Sequence, residues 1–577
     1  MKKLVNTADF IRPPLTKKLY KIIQPLADSI FGFNNLSKLY EDVAKGKGLD
    51  TKGFCAETMR LLGATYTADQ AAIDALKTQS PLLILANHPY GAIDSMAVMH
   101  LVCEHFPRKW LLTANQLLKN VDEVADNIAF VDPFAKGEKK KENLKSVKAM
   151  HKVLREGNGL MMFPAARVSG WDKEINAVCD LPWTTHPLKL SAKYNVPILL
   201  LNISGKNSKK FLAIDHDKIM RRSVRLCKEV FLQKNQTIKI NFSTLMSPEL
   251  AVKISKFENQ ADILKAHAYL GADRTSPKAL PVVKVNEDLQ ELSTKSPFHD
   301  SLIASQSLLC SQSGFASFCF QGKEEPEIMQ EIGRLRELTF SSIGAGSGSS
   351  VDLSKEDDYY HHIVVTEEST GKIAGAYRVG FTKQILKDKG ETGLYLDHIF
   401  EIKPSFYKEV GNVLELSRSF IPPAFQKNPK VLDILWKSLG KTAIQNNCDG
   451  MYGSVTISND FTPLSQAILV DTLERYHPAK ASLKDAISSS NPFEAKTTYH
   501  KLISNAYSEH GIGTLSPVIE DLEDGLRTTP PLIRYYTSLG AKFLSFKVEP
   551  TFNNAIYCLL HVDLHQLPER YKKRFLR

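Results

Sequence analysis

The run Pro81-Leu-Leu-Ile-Leu-Ala-Asn-His-Pro-Tyr-Gly-Ala-Ile-Asp94 sets the fold of the first half of the chain. Its apolar stretch, Leu82 to Ala86, is far shorter than the roughly 20 residues a spanning helix needs. Bounded by Pro81 and by the Pro89–Gly91 turn, it reads as a buried strand leading into a helix over 92–105. Two more β-rich runs, Gly159–Phe163 and Val196–Ile203, alternate with helical stretches near 140–156 and 186–194. That alternation predicts an α/β fold.

The same run carries chemistry. His88 and Asp94 flank a strand-to-helix turn, where an imidazole and a carboxylate can meet in a cleft. A hydroxyl is a poor nucleophile near neutral pH, and a histidine oriented by a carboxylate removes its proton as it attacks a thioester. His88 is therefore a candidate general base and Asp94 its orienter. A hydrogen-bonded structural histidine is the alternative for such a pair taken alone.

Composition narrows the field. The chain has 577 residues, 43% hydrophobic and 24% charged, which excludes a disordered or fibrous protein. The excess of 74 Lys and Arg over 63 Asp and Glu gives a net charge of +11 and predicts an anionic partner. The eight cysteines form no C-x-x-C pair, so the sequence offers neither a zinc ligand set nor a disulfide framework, and no metal is expected. The N-terminus meets Asp9, Arg12, Pro13 and Pro14 before any signal-peptide core forms, which predicts a cytoplasmic protein. Residues 15–43 alternate apolar and Lys positions at near-helical spacing, as either interfacial or core-covering amphipathic helices. A basic stretch over Lys206, Lys209, Lys210, Lys218, Arg221, Arg222, Arg225 and Lys228 reads as a solvated helix face or as a surface for phospholipid or carrier protein.

Proline gathers and periodicity fades between about 275 and 300, which predicts domains at 1–275 and 301–577 joined by a linker over 276–300. In the second half a helix ends in Arg334-Leu-Arg336-Glu-Leu-Thr-Phe340, followed by the loop Gly344–Ser350, either a substrate lid or a solvent loop. Strands are expected at 361–366, 372–380, 449–457, 541–548 and 555–563, with helices at 430–446, 461–476 and 530–539. Glu415-Leu-Ser417-Arg418-Ser419 reads as a strand whose alternation sends Glu415, Ser417 and Ser419 to one face. A carboxylate there can assist deprotonation of an attacking amine, so Glu415 is the third catalytic candidate. A salt-bridged strand is the alternative.

The ordered blocks Asn87-His88-Pro-x-Gly91-x-x-Asp94, Ile128–Asp132, Phe163-Pro164-Ala-Ala-Arg167-Val-Ser169 and Val196-Pro-Ile198 resemble the glycerolphosphate acyltransferase superfamily, in its hemolysin-like, lyso-ornithine-lipid branch. The resemblance covers roughly 60–230 and implies substrate-binding roles for Asn87, Gly91, Pro164, Arg167 and Ser169. Ala165 stands where that family has glutamate, and Pro133 where an arginine commonly follows the second block's aspartate; both favour an acceptor other than glycerol phosphate. From roughly 330 to 565, Arg336, Phe340, Asp357-Asp358, Gly375-Ala-Tyr-Arg378, Glu415-x-Ser417-Arg418, Leu435-Trp436 and Tyr535-x3-Leu539-Gly-Ala appear in order. They resemble the ornithine N-acyltransferases of GNAT type, which implies substrate contacts from Arg336, Phe340, Arg378, Ser417 and Arg418.

Together the resemblances imply a glycerolphosphate-acyltransferase-like α/β domain followed by a GNAT-type mixed α/β domain, similar as a whole to bifunctional ornithine lipid synthases. The second would join a 3-hydroxyacyl chain to an amino acid, and the first would esterify that chain's hydroxyl. No cofactor is expected beyond the donor, acyl carrier protein or coenzyme A thioester. The expected partners are acyl carrier protein and an anionic membrane surface, with the protein peripheral on the cytosolic face of the inner membrane. Ornithine is the expected acceptor, with glycine, lysine and glutamine open. A silent first or second half is a further alternative, and nucleic-acid binding rests on charge alone.

Overall fold

The computed structural model describes residues 33–44, 47–114, 121–131, 139–279, 298–305, 307–342, 346–507 and 510–576. The chain divides into two compact units, Met1–Arg274 with Thr497–Ala506, and Thr275–Lys496 with Tyr507–Arg577. The expectation of two contiguous halves is thus corrected, because a short segment of the second half belongs to the first unit. Backbone capping holds it there: Asp273 Oδ2 accepts the N–H groups of Thr498 and Tyr499 at 2.7 and 2.9 Å. Of the expected linker, residues 280–297 lie outside the described residues, and Phe298 already opens the helix Phe298–Ala304.

The first unit forms β1 (Thr65–Ala68), β2 (Leu82–Ala86), β3 (Trp110–Ala114), β4 (Ile128–Phe130), β5 (Gly159–Met162), β6 (Gly170–Asp172), β7 (Ala177–Cys179), β8 (Ile198–Ser204) and β9 (Thr237–Met246). Seven of them make a sheet in the order β1-β9-β8-β2-β5-β3-β4, while β6 and β7 form a separate hairpin. All neighbours in the sheet are parallel except β8 and β9. β2 lies centrally with every residue buried, which is why its side chains are uniformly Leu, Ile and Ala. The helix Ala92–His105 leaves it through the His88–Gly91 turn.

Of the stretch expected to be N-terminal amphipathic helices, residues 15–32 lie outside the described residues, and Phe33–Ala44 is a helix. Its Tyr40 and Val43 are buried with Phe54, Val121, Val124 and Ile128, so this part covers a core. Among the described residues no helix is long and apolar enough to cross a membrane.

The second unit forms β10 (Leu308–Gln312), β11 (Phe315–Gln321), β12 (His361–Glu367), β13 (Ile373–Phe381), β14 (Glu401–Ile402), β15 (Val413–Phe420), β16 (Gly450–Ile457), β17 (Ile487–Ser488), β18 (Lys542–Glu549) and β19 (Ala555–Asp563). Eight of them build a mixed sheet, β10-β11-β12-β13-β15-β16-β19-β18, antiparallel except between β15 and β16. That parallel pair holds from Val413 to Leu416 and then parts. Just beyond, Arg418 has φ +50°, and two residues of β15 stand opposite one of β13. This β-bulge redirects the strand at the point where it leaves its neighbour.

Gly159 in β5 is a point where close packing forbids a side chain, since a Cβ there would lie 2.3 Å from the buried Trp110 ring. Gly159→Val is expected to cost about 1–3 kcal/mol by overpacking. The check is the thermal transition of the first unit, followed by tryptophan fluorescence.

Candidate functional site

In the first unit the spacing from His88 to Asp94 is explained by a helix start. Asp94 is at the third position of the helix and wholly buried, and its Oδ2 accepts the N–H groups of Tyr90 and Gly91 at 2.9 and 3.0 Å. Its Oδ1 accepts Ser95 N–H at 2.8 Å and stands 3.1 Å from His88 Nδ1. Gly91 has φ +104°, and a Cβ there would meet Leu226 at 2.9 Å, so glycine fits the turn on both counts. The His88 ring stacks on Phe163 with centroids 4.2 Å apart. Burial opposes the imidazolium, but the charges of Asp94 and Asp180 outweigh it and leave the His88 pKa above its usual value.

The remaining residues of this site divide into wall and frame. Arg167 lines a largely apolar cavity of about 330 Å³ together with His88, and the other walls include Leu36, Tyr40, Met96, Val124 and Leu226. Asn87 does not face that cavity. It bridges strand ends instead, donating to Ile203 O at 3.0 Å and accepting Ile203 N–H at 2.6 Å. Ser169 is also frame, fully buried, with its N–H on His88 O at 2.9 Å and its hydroxyl donating to Asp180. Pro164 is buried in the turn that puts Ala166 at φ +53°, and its carbonyl accepts Thr184 N–H at 3.2 Å. The resemblance implied substrate contacts for Asn87, Pro164 and Ser169; in the structure these residues make bonds that hold the turns around His88.

Arg222 is a correction as well. Expected on a basic surface, it is buried, donates to Ile214 O, Val168 O and Ser169 O, and stacks on Phe211 at 4.3 Å. It braces the turn that carries Arg167 and itself lines the same cavity. Asp180 went unnoticed in the sequence. Its Oδ1 accepts His88 N–H at 3.2 Å and its Oδ2 accepts Trp183 Nε1–H at 2.9 Å.

The second unit gathers buried charge around β13 and β15. Arg336 Nη2 lies 3.2 Å from Asp357 Oδ1, and Arg378 Nη1 lies 3.3 Å from Asp357 Oδ2. Arg378 also donates from Nε to Ser417 Oγ at 3.0 Å and from Nη1 to Ser354 Oγ at 2.9 Å. Burial opposes a charged Asp357, but the two guanidiniums prevail and hold its carboxyl well below the usual carboxylate range. Arg418 Nη1 is 3.5 Å from Asp352 Oδ2, and its guanidinium lies between 5.2 and 5.9 Å from the ring centres of Phe552, Tyr395 and Phe340. The bulge corrects the alternation read from sequence: Arg418 joins the side of Glu415 and Ser417, while Ser419 falls beside the Tyr377 hydroxyl.

Glu415 is wholly buried, with Oε1 accepting from Tyr360 at 3.0 Å and Oε2 from Tyr452 at 2.8 Å. Burial raises its pKa against the pull of these hydroxyls and of Arg378. Both oxygens are engaged, so Glu415 meets its neighbours rather than open space. The network continues: Tyr407 OH lies 3.4 Å from Tyr452 OH and donates to Asp397 Oδ1 at 2.7 Å. Asp397 Oδ2 has no protein donor, and burial pushes this carboxyl up to about 7. Tyr360, Tyr452 and Asp397 lie on separate elements, and no local motif in the sequence marks them.

The described part of the Gly344–Ser350 loop is anchored, since Glu337 accepts from Ser347 N–H, Ser347 Oγ and Gly348 N–H between 2.7 and 3.0 Å. Among the described residues no group of three or more His, Cys, Asp or Glu is arranged to hold a metal ion.

Comparison with known proteins bears on the second cluster. Residues 335–437, which span Arg336, Phe340, Arg378, Glu415, Ser417 and Arg418, match the model of the acetyltransferase (GNAT) domain. A glycine N(alpha)-acyltransferase of Phocaeicola vulgatus is 28% identical over 240 residues, 39% of this chain and 72% of that protein. One of Bacteroides thetaiotaomicron is 27% identical over 237 residues, 38% of this chain and 68% of that protein. The crystal structure of the AHL synthase LasI matches 30% of this chain and 86% of its own at 14% identity, with a TM-score of 0.19, and supports no further argument. The chain therefore carries an acetyltransferase (GNAT) domain around its buried Arg336–Asp357–Arg378 cluster, and it is an acyltransferase.

Proposed function

We propose that this protein builds a diacylated aminolipid in two acyl transfers. The second unit joins a 3-hydroxyacyl chain to the α-amine of an amino acid, and the first unit esterifies the hydroxyl of that chain. The observation that carries the first step is the coincidence of the matched GNAT region with the charged cluster. The two relatives' activity favours glycine as the acceptor.

For the N-acyl step the amine attacks the thioester carbonyl, the C–S bond breaks, and the donor leaves as a thiol. An amino acid's α-amine has a pKa of about 8 and must lose a proton first. The network of Glu415, Tyr452, Tyr407 and Asp397 takes up that proton, with Asp397 as its end; because Tyr452 donates to Glu415 and Tyr407 to Asp397, passage of the proton between the two phenols requires both hydroxyls to turn toward each other. Arg418 supplies a cation for the acceptor's carboxylate, on the side of the sheet where β15 parts from β16.

For the O-acyl step His88, with Nδ1 turned to Asp94, uses its other ring nitrogen to remove the hydroxyl proton. The apolar cavity beside it takes an acyl chain, and Arg167 at its wall meets a carboxylate or phosphate of the substrate. Acyl carrier protein or coenzyme A delivers the chains at an anionic membrane surface, toward which the positive net charge of the chain is suited.

The test is mass spectrometry of lipids from a host that makes no aminolipids. The wild type is expected to yield a new diacyl aminolipid whose fragments reveal the headgroup, and His88→Ala to yield only the monoacyl form, with the O-acyl rate down roughly 10²-fold or more. Absence of any new aminolipid from the wild type, with donor and amino acids supplied, would sink the proposal.

Two pH profiles follow from the sites. His88 must be neutral to act, so O-acylation falls as pH drops through its raised pKa. Asp94→Asn removes the charge that raises it, which moves this acidic limb to lower pH while lowering the rate itself. For N-acylation, Asp397 must be ionised to receive a proton, so kcat at saturating acceptor is expected to fall as pH drops through about 7. Glu415, Tyr407 and Glu391 are the titratable groups that act on Asp397. Asp397→Asn is expected to abolish this limb, and an unchanged profile would remove Asp397 from the mechanism.

A further inference from the structure

The hairpin of β6 and β7 is tied at its base to the catalytic turn. Ser169 N–H donates to His88 O at 2.9 Å, and His88 N–H donates to Asp180 Oδ1 at 3.2 Å. The two ends of the hairpin thus grip the backbone of His88 from both sides, and the Ser169 hydroxyl closes the loop onto Asp180. Asp180 is fixed in turn from the far side. Its N–H donates to Tyr269 OH at 2.8 Å, and its carbonyl accepts from Lys265 Nζ at 2.6 Å.

The segment Thr497–Ala506 packs against this arrangement from outside. Tyr499 sets its ring on that of Tyr269 with centroids 4.8 Å apart, and its hydroxyl donates to Val178 O, on β7, at 3.0 Å. Asn505 Nδ2 donates to Glu174 Oε1 near the hairpin tip at 2.9 Å, and Ala506 O accepts from Asn259 Nδ2 at 2.7 Å. Bonds reach the segment at Thr498 and Tyr499 near one end and at Asn505 and Ala506 at the other, with Asp273 capping the first pair.

We infer that residues 497–506, supplied by the second half of the chain, are a positioning element of the His88 site. Tyr499 acts through Tyr269 and Asp180 on the backbone of His88, and none of the three touches substrate. The inference rests on the reading of the first unit as the O-acyltransferase. Without the Tyr499 ring, Tyr269 loses a packing partner and the hairpin loses its outer tether, so His88 is no longer held at one place against Asp94 and the cavity. Small misplacements of a catalytic group are costly in rate.

The experiment uses the full-length protein, with O-acylation and N-acylation measured separately by thiol release from an acyl donor. The O-acyl acceptor is a monoacylated 3-hydroxyacyl glycine. Tyr499→Ala is expected to lower kcat of O-acylation by about tenfold or more with KM changed less than about twofold, leaving N-acylation unaltered. Tyr499→Phe, which keeps the ring, is expected to restore most of the rate, while Tyr269→Phe, which removes the acceptor for Asp180 N–H, is expected to lower it. Wild-type kcat in Tyr499→Ala and Tyr269→Phe, with the fold intact by limited proteolysis, would overturn the inference. A second readout needs no turnover: modification of His88 by diethyl pyrocarbonate, followed by mass spectrometry, is expected to change in Tyr499→Ala and not in Tyr499→Phe. Unchanged modification overturns the positioning role, whereas a wild type that N-acylates without O-acylating overturns the reading of the first unit.

Discussion

A carboxylate taken out of water must be held by donors, and the means of holding decides what it can do. Asp94 is held by three backbone N–H groups at the start of a helix, where the aligned peptide dipoles favour an anion. The grip fixes the rotamer, and the oxygen left beside His88 raises the imidazole's pKa. Glu415 is held by two phenol hydroxyls, which are weaker donors than cations, and burial drives its pKa up. Asp357 is held by two guanidiniums and stays ionised far into acid. Most of the two sites is the consequence of satisfying these three groups. The helix start dictates the spacing of the first motif, and the arginine pairs dictate the crowding of β13 and β15.

Sequence revealed what is local and periodic. β2 reads as a strand because it is buried on both faces, and the helix after it reads from its Pro-x-Gly turn, so the relation of His88 to Asp94 was legible from eight consecutive residues. The strand at Glu415 was legible too, but only as far as Ser417. The bulge at Arg418 has no glycine to announce it, and strict alternation therefore assigned Ser419 to the wrong face. Arg222 was misread because a basic residue in an amphipathic helix looks like a surface residue until its carbonyl partners, 8 to 54 positions away, are known. Asp180, Tyr360, Tyr452 and Asp397 share that opacity. Each takes its role from neighbours brought by other elements, and none belongs to a spaced motif. The segment 497–506 is the extreme case, since its tyrosine works on a hairpin 321 positions earlier in the chain.

The bulge deserves its cost. A non-glycine residue in the left-handed region is unfavourable by about 1 kcal/mol or more, and a sheet keeps it only where surrounding contacts overrule it. Here Asp352 and three aromatic rings receive the guanidinium that the bulge turns toward them. The same residue lies just past the end of the β15–β16 pairing, so the side chain and the opened edge of the strand come together. A regular strand would have sent Arg418 to the opposite side, away from Glu415 and Ser417.

The balance of charge in this cluster links acceptor binding to proton transfer in the proposed reaction. Three guanidiniums, of Arg336, Arg378 and Arg418, face two aspartates and Glu415. Guanidiniums keep their proton even when buried, so the positive side of this balance is fixed across the working pH range. The negative side is not fixed, because Glu415 is the member whose carboxyl burial pushes toward the neutral form. While Glu415 carries the proton, before it passes to Asp397, the cluster gains a unit of positive charge, which strengthens its hold on an anionic carboxylate. An amino acid that arrives with a carboxylate and an ammonium answers both needs at once, giving up the proton from one end and supplying the counter-charge from the other. A fatty amine or an alcohol carries no carboxylate and answers only the first. In the proposed reaction the arginines therefore favour an acceptor that carries a carboxylate, and the tyrosine-held glutamate belongs to the network that receives the proton of its amine.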